Sequence, residues 1–170
     1  MSGVLYSAAM TSLLRTLEFL GLSLWLGSDV FLSFVVAPRA FRILASRDQA
    51  GAIVGNGLWW MHLIGVICGI AILVARLLRT RTFASLTAPA ALCVVLMISL
   101  TVVSQHAVSP KMAALRGQMG SIQATAAADS PLLVEFSKLH RISVSLESGV
   151  LLAGFATMFL IVRELPSAGR

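Results

Sequence analysis

Four long apolar runs are the feature that most constrains how this chain can fold. They cover residues 13–38, 58–78, 83–108 and 139–162. A helix needs about 20 residues to cross the hydrocarbon core of a bilayer, and in lipid only helices and closed barrels satisfy all their backbone hydrogen bonds. The runs therefore predict an all-α fold, an integral membrane four-helix antiparallel bundle, with residues 1–170 forming a single four-span membrane domain.

The composition agrees with a membrane protein and argues against a nucleic-acid-binding one. Of the 170 residues, 58% are hydrophobic and 12% are charged, whereas soluble domains have about 45–50% and about 25%. The formal net charge is +6. The basic residues lie mostly at the ends of the apolar runs, where they meet lipid headgroups. We expect the lipid bilayer as a partner and no nucleic acid.

Four spans place both termini on one side of the membrane, called side A here, opposite side B. The side-A connection between spans two and three is short and contains Arg76, Arg79 and Arg81. The side-B connections are longer: residues 39–57 form an amphipathic stretch, and residues 109–137 are rich in Ala, Ser, Gly and Gln. Basic residues in short loops favour the cytoplasm, so the pattern predicts cytoplasmic N- and C-termini.

Two short motifs predict how the helices begin and pack. Ser130-Pro131 is typical of an N-cap residue followed by the first helical position, so we expect the last helix to begin before its span does. In span two, Gly65-x-x-x-Gly69 is a small-residue pair that permits a neighbouring helix to approach closely.

Polar residues occupy one face of span one. Ionisable side chains inside a bilayer are costly, so each needs a partner or a function. Helical spacing puts four residues on a single face: Glu18, Leu22, Trp25 and Asp29. Arg15, one turn earlier, is the expected partner of Glu18 near side A. Asp29 lies about 13 Å along the axis from the end of the span, near the middle of the bilayer.

A matching stripe follows the fourth helix. Its members are Phe136, His140, Ser143, Glu147, Leu151, Gly154 and Met158. Glu147 is about 10 Å deeper than His140, which brings it to the expected depth of Asp29. The two carboxylates are predicted to converge, and in a low dielectric they would repel each other unless a cation or a proton lies between them.

All three histidines belong to the side-B half of the membrane. His62 opens span two, His106 closes span three and His140 opens span four. Because successive spans alternate in direction, the three imidazoles are expected at the same end of the bundle. Histidines and carboxylates in one membrane half indicate a polar site there.

The first hypothesis for this site is a metal centre that binds or transports a metal cation. His62 and His140 would supply nitrogen ligands, and Asp29 and Glu147 oxygen ligands. First-row divalent ions or copper suit such a mixture. Further polar or packing support would come from Glu18, Trp25 and Ser143.

Two alternatives belong to other classes. One is a haem-binding membrane redox protein, with haem b held by His140 and either His62 or His106 as axial ligands. The other is a non-catalytic membrane subunit or scaffold, in which the polar residues only join helices. No catalytic residue is predicted, and the partner is expected to be a metal ion or small ligand, with a homo-oligomer or membrane complex as a further possibility.

Several segments resemble the transmembrane protein 205-like family. They are WLGSDVFLSFVVAPRAFRIL, QAGAIVG, HAVSPKMAALR and FSKLHRISVSLE. The matching residues are Trp25, Gly27, Pro38, Phe41, Ala50, Gly51, Pro110, Phe136, His140 and Ser143. The resemblance implies a four-span membrane fold of undefined role, distantly similar to copper-resistance D and HemJ-type membrane proteins. The HemJ-type enzymes, which bind haem, have an essential histidine on their first span, whereas the nearest polar residues here are Glu18 and Asp29.

Overall fold

The computed structural model describes residues 2–120 and 130–164. Every regular element in those ranges is helical. The α-helices are α1 (Ser2–Phe31), α2 (Ala37–Ile43), α3 (Arg47–Thr80), α4 (Pro89–Val103), α5 (Ser109–Met119) and α6 (Pro131–Arg163). Two π-helical turns, Leu32–Val36 and Ser104–Val108, and one 3-10 turn, Phe83–Thr87, complete the set.

These elements make four long helices, because each π turn joins two α-helices without a break. The described residues contain four helices that are long and apolar enough to cross a membrane: Ser7–Ile43, Arg47–Thr80, Pro89–Met119 and Pro131–Arg163. The predicted all-α, four-helix membrane fold is thereby confirmed. The protein is an integral, multi-pass membrane protein whose apolar outer surface contacts the lipid bilayer.

The helices are longer than the spans that they contain. The 34 residues of α3 extend about 51 Å at 1.5 Å per residue, against a hydrocarbon core of about 30 Å. The amphipathic stretch 39–57 is accordingly helical on both sides of a short link at residues 44–46. The other side-B connection starts with α5, while residues 121–129 lie outside the described part of the chain.

Local signals explain where the helices begin and end. The Ser46 hydroxyl caps α3 by accepting a hydrogen bond from the Gln49 backbone N–H at 3.1 Å, and Arg81, with φ 54°, ends that helix in the left-handed conformation. The last helix begins at Pro131 with Ser130 at the N-cap position, as predicted, although the Ser130 side chain makes no capping hydrogen bond. Phe83, placed at the start of span three, belongs to the separate 3-10 turn.

Each π turn ends two residues before a proline. A proline has no N–H to donate and its ring clashes with the carbonyl four residues earlier. For Pro38 that carbonyl belongs to residue 34, and for Pro110 to residue 106, both inside a π turn. The helix widens by one residue, so that the N–H of Ala37 bonds to the Leu32 carbonyl instead.

The bundle packs α1 mainly against α3, and α4 mainly against α6, with α3 and α4 adjacent. Trp25 of α1 is 1% exposed, and its ring lies on the α3 backbone over Gly65 and Gly69. A Cβ added at Gly69 would be 2.7 Å from the Trp25 ring. The glycine pair therefore makes room for an indole side chain, and the atoms nearest to it do not include the backbone of a neighbouring helix.

Candidate functional site

A buried ion pair joins α3 to α6 in the interior of the bundle. The Nε2 atom of His62 lies 2.7 Å from Oε1 of Glu147, and the two residues are only 2% and 9% exposed. The Ser104 hydroxyl donates to the same carboxylate oxygen at 3.1 Å. Three of the four long helices thus meet at Glu147 Oε1.

The second nitrogen of His62 faces span three. Its Nδ1 atom lies 2.8 Å from Oε1 of Gln105. With oxygen acceptors at both ring nitrogens, the arrangement fits an imidazolium that donates twice. If the Gln105 amide turns by half a rotation, its NH₂ group donates to a neutral imidazole instead. Gln105 can therefore form a hydrogen bond with His62 in either protonation state.

Asp29 is the third ionisable member of the cluster. Its side chain is fully buried, and its Oδ1 atom accepts a hydrogen bond from the Ser33 hydroxyl at 3.2 Å. It interacts electrostatically with both Glu147 and His62. Of the four predicted ligands, the structure pairs His62 with Glu147 and buries Asp29 within electrostatic reach of both.

Three oxygen atoms of this region are buried without a hydrogen-bond partner among the described residues. They are Oδ2 of Asp29, Oε2 of Glu147 and Oγ1 of Thr101. Thr101 is one helical turn before Ser104 and Gln105 and is 1% exposed. An unsatisfied buried polar atom costs about 1–3 kcal/mol, so three in one region indicate a site that takes up something polar.

The charges of the cluster do not balance. The cluster contains one imidazole, which can neutralise one carboxylate when it is protonated, but it contains two carboxylates, Asp29 and Glu147. A lone buried charge is more expensive than a paired one, so one carboxylate needs a proton or another cation. The cluster is therefore suited to holding a small positive species.

The remaining predicted residues lie elsewhere. His140 and His106 are exposed, and His140 stands two turns before Glu147 on α6, where residues 137–142 are mostly exposed. Ser143, one turn before Glu147, is buried on the same face. Trp25 is a neighbour of Asp29 on α1, and its contacts with the glycine pair are those of a packing residue.

Glu18 belongs to a separate site at side A, and its expected pairing with Arg15 is wrong. Its carboxylate accepts hydrogen bonds from Arg79 of α3, from Nε at 2.8 Å and from Nη2 at 3.2 Å. The antiparallel packing of α1 on α3 brings the Arg79 guanidinium across to Glu18. A two-point contact of this kind is the preferred geometry for an arginine and a carboxylate.

The donor set does not fit a haem group or a histidine-rich metal centre. Within residues 2–120 and 130–164, no three His, Cys, Asp or Glu side chains are grouped so that they could hold a metal ion. Both nitrogens of His62 already have partners. The exposed His106 and His140 do not face His62 across the bundle interior.

Sequence reasoning missed the polar residues of span three. Thr101, Ser104 and Gln105 lie in an apolar run and carry no charge, so nothing distinguished them from ordinary polar residues. The available signal was Pro110, which follows them within a continuing helical pattern. A proline there predicts a disturbed turn before it, and π turns often occur at functional sites.

A family model matches residues 20–121, and it describes a domain of unknown function, DUF4149. No curated protein and no solved structure matches the chain. The matched segment contains Asp29, His62 and Gln105. Glu147 lies beyond it, on the last helix, so the cluster joins the matched segment to the rest of the chain.

Proposed function

Because the chain belongs to the DUF4149 family, a domain of unknown function, we propose its function from the site: it is a membrane protein that binds and releases a proton at Asp29, His62 and Glu147. One observation carries the proposal. Three ionisable side chains from three helices are buried in the bundle interior within electrostatic reach of one another, and both carboxylates have a buried oxygen without a partner among the described residues.

A proton fits the cluster better than a transition metal does. A metal ion needs several donors directed at one point, and the described His, Cys, Asp and Glu side chains form no such group. A proton needs only one acceptor atom and neutralises one unit of charge. The His62 nitrogens can keep their hydrogen bonds throughout.

The proposed cycle has two states. In the loaded state His62 is an imidazolium donating to ionised Glu147, and Asp29 is protonated on its unpartnered Oδ2, so the cluster sums to zero. In the released state one proton has left to water, and the cluster carries one negative charge. The Gln105 amide can donate to His62 or accept from it. If His62 loses the proton, the NH₂ group of Gln105 would donate to the neutral imidazole.

Infrared difference spectroscopy of the purified protein during a pH titration tests the proposal. Protonated carboxyl groups have a distinct C=O stretch, and we expect one such band from a group shielded from solvent. Asp29→Asn should remove it, and Glu147→Gln should alter it. The matched control is Glu135→Gln, an exposed carboxylate on the same helix as Glu147. A wild-type spectrum with no buried carboxyl band, or one unchanged by both variants, would refute the proposal.

A metal cation held by oxygen atoms is the second candidate. It is favoured by the unpartnered oxygens of Asp29, Thr101 and Glu147, because carboxylate and hydroxyl oxygens suit hard cations. Thermal unfolding in the presence of Na⁺, Mg²⁺ or Mn²⁺ tests it. A stabilising ion whose effect is lost in Thr101→Val would support a metal over a proton. If neither a proton nor a metal binds, the cluster only joins helices, and the protein is a membrane subunit or scaffold.

We also propose that the chain is related to the transmembrane protein 205-like family. In this proposal residues 1–170 form one domain, and both termini are cytoplasmic. Residues of the resembling segments also contact one another. Arg116 donates from Nη1 to the Gly51 carbonyl at 3.4 Å, and its guanidinium lies 5.6 Å from the centre of the Phe136 ring. Three of the four segments thus meet at one point on side B.

A further inference from the structure

A small, open cleft lies at the side-A end, between α1, α3 and α6. Its lining residues are Arg15, Glu18, Phe19, Arg79, Ile161 and Glu164. Arg79 lies in the last turn of α3, and Glu164 directly follows the end of α6. The cleft is therefore at the level of the lipid headgroups, along the contact between the first and last helices.

Both acidic residues of the cleft are already paired. Arg79 holds Glu18 through two hydrogen bonds. The Nη2 atom of Arg76 donates to Oε1 of Glu164 at 2.7 Å, and its Nε donates to the Ser85 carbonyl at 3.0 Å. Neither carboxylate is left to neutralise a further cation.

Arg15 is the cation left over. Its side chain is half-buried and lines the cleft, and no carboxylate within the described residues forms an ion pair with it. A guanidinium at a membrane surface with neighbouring arginines is suited to binding phosphate, which accepts two parallel N–H bonds from such a group.

We propose that this cleft binds the phosphate of an anionic phospholipid, with Arg15 as the main contact and Arg79 as its neighbour. Phe19 and Ile161 supply the apolar part of the lining, which suits the glycerol and upper acyl carbons of a lipid. Basic pockets between membrane helices are known binding sites for anionic headgroups. The inference is independent of the proton cluster, which lies in the other half of the bundle.

Lipid binding by the full chain in neutral detergent tests the proposal. Native mass spectrometry would count bound phosphatidylglycerol and phosphatidylcholine over a range of concentrations. We expect preferential binding of phosphatidylglycerol, and we expect Arg15→Gln to bind it about tenfold more weakly, as the loss of a hydrogen bond to a charged group implies. Arg15→Lys keeps the positive charge but not the two parallel N–H donors of the guanidinium. It should bind phosphatidylglycerol more weakly than the wild type and more tightly than Arg15→Gln.

The matched control is Arg81→Gln, which removes one positive charge from the same membrane surface outside the cleft and leaves an exposed position. It should bind phosphatidylglycerol like the wild type. Equal binding of the two lipids, or equal losses in Arg15→Gln and Arg81→Gln, would overturn the proposal. Displacement of the lipid by millimolar inorganic phosphate would also overturn it, because the cleft would then be a site for the free anion.

Discussion

The buried ion pairs of the described residues join different helices. His62 of α3 meets Glu147 of α6, and Arg79 of α3 meets Glu18 of α1. A buried ion pair contributes little net stability, because desolvation offsets the attraction, but removing one partner costs about 3–5 kcal/mol. These pairs therefore constrain how the helices face one another more than they stabilise the fold.

The His62–Glu147 pair gives a prediction at this scale. His62→Leu should destabilise the protein by about 3–5 kcal/mol, because Glu147 is left buried without a cation. The double variant His62→Leu/Glu147→Leu should recover most of that loss, since neither charge of the pair remains. Thermal unfolding in detergent measures both. His140→Leu, an exposed histidine in the same membrane half, is the control and should unfold like the wild type.

That prediction would be contradicted if the single and double variants lost the same stability. Such a result would mean that Glu147 reaches water or another partner once His62 is gone. The cluster would then not be the buried site that the structure shows.

At the level of residues, helical spacing predicts which residues share one face of a helix. It does not predict which residues of other helices they contact. Helical spacing placed Glu18, Leu22, Trp25 and Asp29 on one face, and all four are buried. The pairing of Glu18 was wrong because spacing describes neighbours along one helix, and the better partner came from α3. His140 belongs to the same stripe as Glu147 in the sequence, yet it is exposed.

At the level of elements, the two prolines explain why the site is where it is. Pro38 and Pro110 each follow a π turn, and each turn contributes to the polar cluster. Ser33 lies in the first turn and bonds to Asp29, while the second contains Ser104 and Gln105. A π turn offsets the helix by one residue, which directs side chains that a regular helix would turn elsewhere.

The glycines of α3 allow a matched prediction on packing. At Gly65 an added Cβ would collide with the Trp25 indole, whereas at Gly55 it would meet nothing within 4 Å. Gly65→Ala should therefore cost about 1–3 kcal/mol through overpacking. Gly55→Ala, in the same helix, should be neutral or stabilise by up to about 1 kcal/mol, because alanine is the better helix former.

Thermal unfolding of the two glycine variants makes the comparison. If Gly65→Ala proved as stable as Gly55→Ala, the indole would not be seated on the α3 backbone. The close approach of α1 to α3 would then need another explanation.

Helix number and class could be predicted from apolar run length, because a bilayer leaves the backbone so few options. Helix ends were harder to place. Hydropathy reports where lipid begins and ends, whereas α3 and α6 continue past the lipid as amphipathic or polar helix. Only local signals such as Ser130-Pro131 indicate those ends, and hydropathy carries no signal for the π turns before Pro38 and Pro110.

Across the whole molecule, the two polar regions occupy opposite ends of the bundle. The side-A end holds the arginine cleft, and the His62 cluster lies in the side-B half. Between them lies the apolar core around Leu22, Ile72, Val94, Met97 and Val150. The cluster is therefore separated from side A by closely packed hydrocarbon, so a proton would exchange with water on side B.

The direction of insertion is a prediction at the same scale. The arginines of side A lie in short segments, which favours the cytoplasm for that side. A reporter fused after residue 170 should be active only in its cytoplasmic form, and one inserted after Gly120 only in its external form. The opposite pattern for both would reverse the orientation, and the same pattern at both positions would contradict the four-span topology.

The central claim is that Asp29, His62 and Glu147 share their protons as one unit, and the ¹⁵N spectrum of the His62 ring tests it most directly. Solid-state NMR of histidine-labelled protein in lipid, compared with His62→Leu to assign the signal, reports the imidazolium fraction at each pH. In Glu147→Gln that fraction should fall at a given pH, because a neighbouring negative charge has been removed, and in Asp29→Asn it should fall at the pH values at which Asp29 is ionised. Glu135→Gln should leave it unchanged. An imidazolium fraction of His62 that is the same in the wild type and in both cluster variants would contradict the account.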